Sequence, residues 1–137
     1  MNGPRRDLQF LGVTVDQRTD GTHRARVELW RRARTNTSGE KFVGNAVAQE
    51  SRRAVASATL DALRRAHTGQ LVQGLELAAV EILEVFGGAP VIGTALTGNL
   101  GENARFLMGF SRVVGYDAAT ATARAVLDAT NRLLSAR

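Results

Sequence analysis

The chain has 137 residues, 44% of them apolar, enough for one domain with a real core and too few for a second independent one. It has no cysteine, which excludes disulfides and thiolate metal sites, and no apolar run close to a membrane span or the h-region of a signal peptide, so the cytoplasm is the expected compartment. The formal charge of +5 comes from seventeen arginines and one lysine, Lys41, a bias that reads as codon usage in an Ala- and Arg-rich sequence more readily than as a phosphate-binding surface.

Leu8 to Val15 is rich in apolar and β-branched residues and runs into Asp20-Gly21, a hairpin turn signal. The next strand, "HRARVELW", alternates, with Ala25, Val27 and Leu29 on one face and Arg24, Arg26, Glu28 and Trp30 on the other. "TNTSG" turns it into a third strand, Lys41 to Ala48; the sequon at Asn36 to Ser38 is loop sequence without consequence in the cytoplasm. From Glu50 to about His67 the period becomes helical, and Gly69 marks the stop. The order then repeats. Leu75 to Phe86 reads as a strand bulged near Ala78 and Ala79, "VIGTALTG" and Arg105 to Val113 follow across turns at "GGAP" and "NLGEN", and a helix runs from about Asp117 to Ser135.

The two helices echo one another. At an offset of 67, Ala58, Leu60, Asp61, Ala62 and Arg65 fall on Ala125, Leu127, Asp128, Ala129 and Arg132, and each third strand carries a mid-strand glycine, Gly44 or Gly109. Asp61 with Arg65, like Asp128 with Arg132, forms an i,i+4 pair in the favourable order. The expected fold is therefore a single α+β domain built from a duplicated unit (about 8–69 and 73–137), β3αβ3α, a mostly antiparallel sheet shared by both units with two helices on one face. In the second half both strand faces are apolar, Val91 and Ala95 against Ile92 and Leu96, and Leu107 against Phe106, Met108 and Phe110. A face left uncovered by the helices predicts a homodimer.

The repeated order is similar to that of the C-terminal regulatory and dimerisation domain of 2-isopropylmalate synthase and its citramalate synthase relatives. The closing helix carries the resemblance: Ala121, Thr122, Ala125, Ala129, Thr130 and Asn131 follow the spacing of the Ala-Ser-x-x-Ala-x-x-x-Ala-Leu-Asn run in which such domains end, with Gly115 and Asp117 in the preceding turn. It covers about Arg24 to Leu134. A glycine-rich turn before the first helix is replaced here by "AQESRR", which sets that position apart from the family's amino-acid feedback site, and the catalytic barrel is missing. The resemblance implies a stand-alone, non-catalytic domain that dimerises and binds a small molecule between its halves; service to a larger protein partner is the other expectation for such a module, and no cofactor is expected.

Residues able to carry chemistry are few. His23 and His67 are the only histidines, and no spacing joins them with carboxylates into a metal site; His67 fits better against the last carbonyls of its helix. Neither "GGAPVIG" nor "GNLGENAR" has the lysine or the strand-to-helix placement of a phosphate loop, and no catalytic triad motif is present. General bases reduce to carboxylates such as Glu28, Glu50, Glu81, Glu84 and Asp117, with Asp117 placed as a helix N-cap. The ligand-binding candidates are the two helix starts, Ser51, Arg52 and Arg53 at the first and Gly115 and Asp117 at the second, with Asn45 as a polar residue in an apolar strand. Two other readings stand beside a binding module: a nucleic-acid protein using Trp30, Arg31, Arg32 and Arg34, and a small enzyme whose site forms across a dimer interface from carboxylates and Asn45.

Overall fold

A computed structural model of the chain describes residues 8–32, 39–67, 69–85, 88–100, 103–113, 115 and 118–135. The element order is β1 (Leu8–Gln17), β2 (His23–Arg31), β3 (Glu40–Ala48), α1 (Ser51–Ala66), α2 (Gln70–Gln73), β4 (Leu75–Val85), β5 (Ala89–Leu100), β6 (Asn103–Arg112) and α3 (Ala118–Ser135). This is the expected β3αβ3α fold, with the strands divided into two antiparallel sheets, β1-β2-β3 and β4-β5-β6, rather than joined in one. The short α2 was not foreseen, because four residues between Gly69 and Gly74 are too few to display a helical period.

The hairpin joining β1 and β2 turns at Gly21, whose φ of 89° suits a residue without a β-carbon. Asp20 Oδ1 accepts bonds from the Thr22 amide at 3.0 Å and the Thr22 hydroxyl at 2.6 Å, closing the turn.

The duplication extends well beyond the helices. Leu8 pairs with Arg31 and Gln17 with His23 in the first sheet; Leu75 pairs with Gly98 and Glu84 with Pro90 in the second, the same register 67 residues on. Both first strands are bulged at the same place, β1 between Phe10 and Gly12 and β4 between Leu77 and Ala79. The helix joints match as well. A β-carbon on Gly44 would lie 2.9 Å from Ala62 Cα, and one on Gly109 would lie 2.8 Å from Ala129 Cβ, so each glycine lets its helix rest directly on the strand.

Each repeated aspartate closes a sheet edge. Asp61 Oδ2 accepts the Asn45 amide of β3 at 3.0 Å, and Asp128 Oδ2 accepts the Phe110 amide of β6 at 3.0 Å. Both strands are the last in their sheets, where unpaired amides would otherwise invite another strand. Asp61 also holds Arg65, Nε to Oδ2 3.2 Å. Its expected counterpart, Asp128 with Arg132, and the expected Asp117 cap lie outside the described side chains.

One buried cluster draws on both halves, from Ala25, Val27 and Leu29 of β2 through Val55, Leu60 and Leu63 of α1 to Leu96 of β5 and Val126 and Ala129 of α3. The helices pack on each other and on their own sheets, and each reaches the first strand of the opposite sheet, α1 touching β4 and α3 touching β1. That explains why α1 is buried around most of its circumference, at Ala54, Val55, Ala56, Ala58, Thr59, Leu60, Ala62 and Leu63.

Candidate functional site

The residues singled out from sequence do not converge. Asn45 lies exposed on the outward face of β3, with its backbone amide bound to Asp61. Ser51, Arg52 and Arg53 form the first turn of α1, where Glu50 takes the cap position without a side-chain cap bond. Arg52 is bridged to Glu50 at 3.2 Å, which places a carboxylate where an anion was expected. Gly115 has φ 59° in the turn before α3, and Asp117 lies outside the described residues.

The arginine strand end is largely taken up by the fold. The Arg31 guanidinium donates to the Ala66 carbonyl at 2.7 Å, closing the C-terminus of α1, and stacks 5.1 Å from the Phe42 ring centre. Trp30 is half-buried against Gly39, Arg32 is exposed, and Arg34 lies outside the described residues. The histidines are placed apart: His23 Nδ1 is 3.2 Å from the Gln49 carbonyl, and the His67 amide donates to the Leu63 carbonyl at 2.8 Å as α1 ends. No group of three His, Asp or Glu suited to a metal ion occurs among the described residues.

Two features of the surface stand out instead. The first is a cavity of about 430 Å³ between the halves, where α3 meets β1. Gln9 and Phe10 of β1, Phe110 and Ser111 of β6, and Arg124, Asp128 and Asn131 of α3 are in its wall. Arg124 is exposed, with its guanidinium 5.8 Å from the Phe10 ring centre. None of these residues is a candidate from the sequence reading. A signal was present in the repeat itself, since Ser57 and Arg64 of the first helix are matched by Arg124 and Asn131 of the second, polar exchanges in otherwise similar segments.

The second is the outward face of the second sheet. Cross-strand neighbours there are Leu83, Val91 and Arg112; Glu81, Gly93 and Phe110; Ala79, Ala95 and Met108; and Glu76, Thr97 and Phe106. Phe106 is 61% exposed, Met108 45% and Phe110 40%, and Leu83 is exposed beside them. The Phe110 ring covers Gly93, where a β-carbon would meet it at 3.2 Å. The equivalent face of the first sheet is mostly polar, with Thr14, Asp16, Arg24, Arg26 and Asn45 exposed on it beside Val47, and Glu28 held by Lys41 at 3.1 Å. The same scaffold thus shows water a mostly polar face on one sheet and, on the other, a face with three of its largest exposed apolar side chains.

Neither a scan against models of known protein families nor a search of characterised proteins finds a match to this chain.

Proposed function

We propose that this protein is a non-catalytic dimerising module, a regulatory or accessory subunit that holds a small metabolite between its two halves. The observation that carries the reading is the apolar outward face of the second sheet: four large apolar side chains stand exposed together there, whereas the matching positions of the first sheet are mostly polar. Contiguous apolar surface of that kind marks an interface in a water-exposed protein. A second copy is the occupant the face fits. Its acidic residues, Glu76 and Glu81, lie on β4 and its basic one, Arg112, on β6, at opposite edges. A two-fold axis along β5 brings β4 of one copy over β6 of the other, so that the edge bearing Glu76 and Glu81 lies on the edge bearing Arg112, around an apolar centre. The likeness in element order to the regulatory domain of 2-isopropylmalate synthase supports the same reading.

A nucleic-acid role has less to rest on, because Arg31 already serves α1 and Trp30 is packed against Gly39. Hydroxyl-radical footprinting tests the dimer face directly. Phe106, Met108 and Phe110 are expected to become protected as protein concentration rises, while Leu11 and Val47, exposed on the first sheet, stay reactive at all concentrations. Equal, concentration-independent labelling of both sets would contradict the reading.

A further inference from the structure

The outward face of the second sheet is not level. Its three bulkiest exposed side chains, Phe106, Met108 and Phe110, all stand on β6, at one edge, and form a ridge. The row through Met108 continues to Ala95 on β5 and Ala79 on β4, and the next row passes through Gly93, over which the Phe110 ring leans. Beside the ridge the surface is therefore low. The duplication shows what has been removed there. Gly93 and Ala95 stand 67 residues after Arg26 and Glu28, which in the first sheet lie 3.8 Å apart as an ion pair, with Glu28 also held by Lys41 at 3.1 Å. At the centre of the second face both charges are gone, and no side chain larger than a methyl has replaced them.

We infer that two copies interlock through this relief, Met108 of each seated on Ala79 of the other. The inference rests on the dimer half of the proposed function and goes beyond it in fixing which residues meet. When two sheets pack face to face with their strands aligned, a two-fold axis between them runs either along the strands or across them. An axis across the strands lays β6 on β6, ridge against ridge, and β4 on β4, acidic edge against acidic edge. An axis along β5 lays β6 on β4 and keeps the rows level, so the residue facing Met108 is Ala79, in the gap between Glu76 and Glu81. A flexible thioether suits a gap of that kind. Phe106 and Phe110 then lie under Glu76 and Glu81, whose strand is at the sheet edge, so the carboxylates reach water at the rim. Acidic edge is set on the edge bearing Arg112 instead of on its own copy, the complementarity that selects one arrangement over another.

The test places opposite charges at the two positions. Ala79→Lys and Met108→Glu each leave an unpaired charge in the contact and are each expected to weaken association by more than about a hundredfold, giving single-chain particles at micromolar concentration with the circular dichroism of the wild type. Mixed in equal amounts, the two variants are expected to form a two-chain particle with one of each, because the axis along β5 sets the new lysine on the new glutamate at one site and leaves Met108 on Ala79 at the other. An axis across the strands pairs neither. A mixture that stays single-chain, or a variant that dimerises alone, would overturn the arrangement while a dimeric wild type keeps the proposed function; a single-chain wild type at every concentration would overturn both. Met1 and Met108 are the only methionines, which allows a second measurement on the unaltered chain. In a mixture of chains protonated only at methionine methyls with chains protonated only at alanine methyls, a Met108 to Ala79 NMR cross-peak can arise only between copies, and its absence from a wild-type dimer would contradict the contact.

Discussion

At the scale of single residues, the repeats act as controls for each other. Val27 in the core face of β2 corresponds to Thr94 in β5, which is 2% exposed and whose hydroxyl has no hydrogen-bond partner among the described residues. A buried hydroxyl without a partner costs stability that an isosteric methyl does not. Thr94→Val is therefore expected to stabilise the fold by about 1 kcal/mol, raising the melting temperature by about 4 °C in calorimetry. Asp20 makes a second test. The Thr22 hydroxyl, then the Thr22 amide, hold its carboxyl below the ordinary aspartate range. Because the folded value is depressed, its contribution is fully present above the unfolded pKa and is lost as pH falls through the folded one. Carboxyl NMR should find Asp20 titrating below ordinary aspartates, and Thr22→Val should bring it back toward them.

At the scale of elements, the recurring device is a helix seated on a strand glycine and tied to that strand by an aspartate. Gly44→Ala and Gly109→Ala force a β-carbon into the backbone of the facing helix, and each is expected to cost about 3 kcal/mol or more in denaturant unfolding. Asp61→Ala removes an edge bond and leaves the helix seated. It is expected to cost about 1 kcal/mol, with faster hydrogen exchange at the Asn45 amide as its specific mark.

Much of this was legible in the chain. The alternation of Ala25, Val27 and Leu29, the slip at Ala78 and the mid-strand glycines all follow from local sterics and periodicity, and they appear where the residues place them. The 67-residue echo pointed to the paired aspartates, whose tie to the edge amides could not be read, because an i,i+4 spacing explains Asp61 equally well. Two further features were out of reach. Strand patterns do not state which edges pair, so the division into two sheets was hidden. The cavity depends on α3 reaching a strand more than a hundred residues away in sequence, a long-range packing that no local pattern encodes.

At the scale of the whole molecule, the two sheets share one topology and one register and differ in what they show to water. The polar face of the first is held by ion pairs such as Glu28 with Lys41, each worth at most about 1 kcal/mol and matched to solvent. The outward face of the second carries Phe106, Met108 and Phe110, whose exposure has no use in an isolated monomer. A duplicated unit with one mostly polar face and one rich in exposed apolar side chains suits a two-fold dimer with the apolar sheets inside. Replacing Phe106 and Met108 by glutamate is expected to leave the circular dichroism spectrum intact while separating the copies.

Sedimentation equilibrium of the wild-type chain across micromolar concentrations tests the central claim most directly. A particle of twice the 14.7 kDa chain mass, reduced to one chain by the double glutamate substitution, is the predicted result. A monodisperse single-chain particle at every concentration would contradict it.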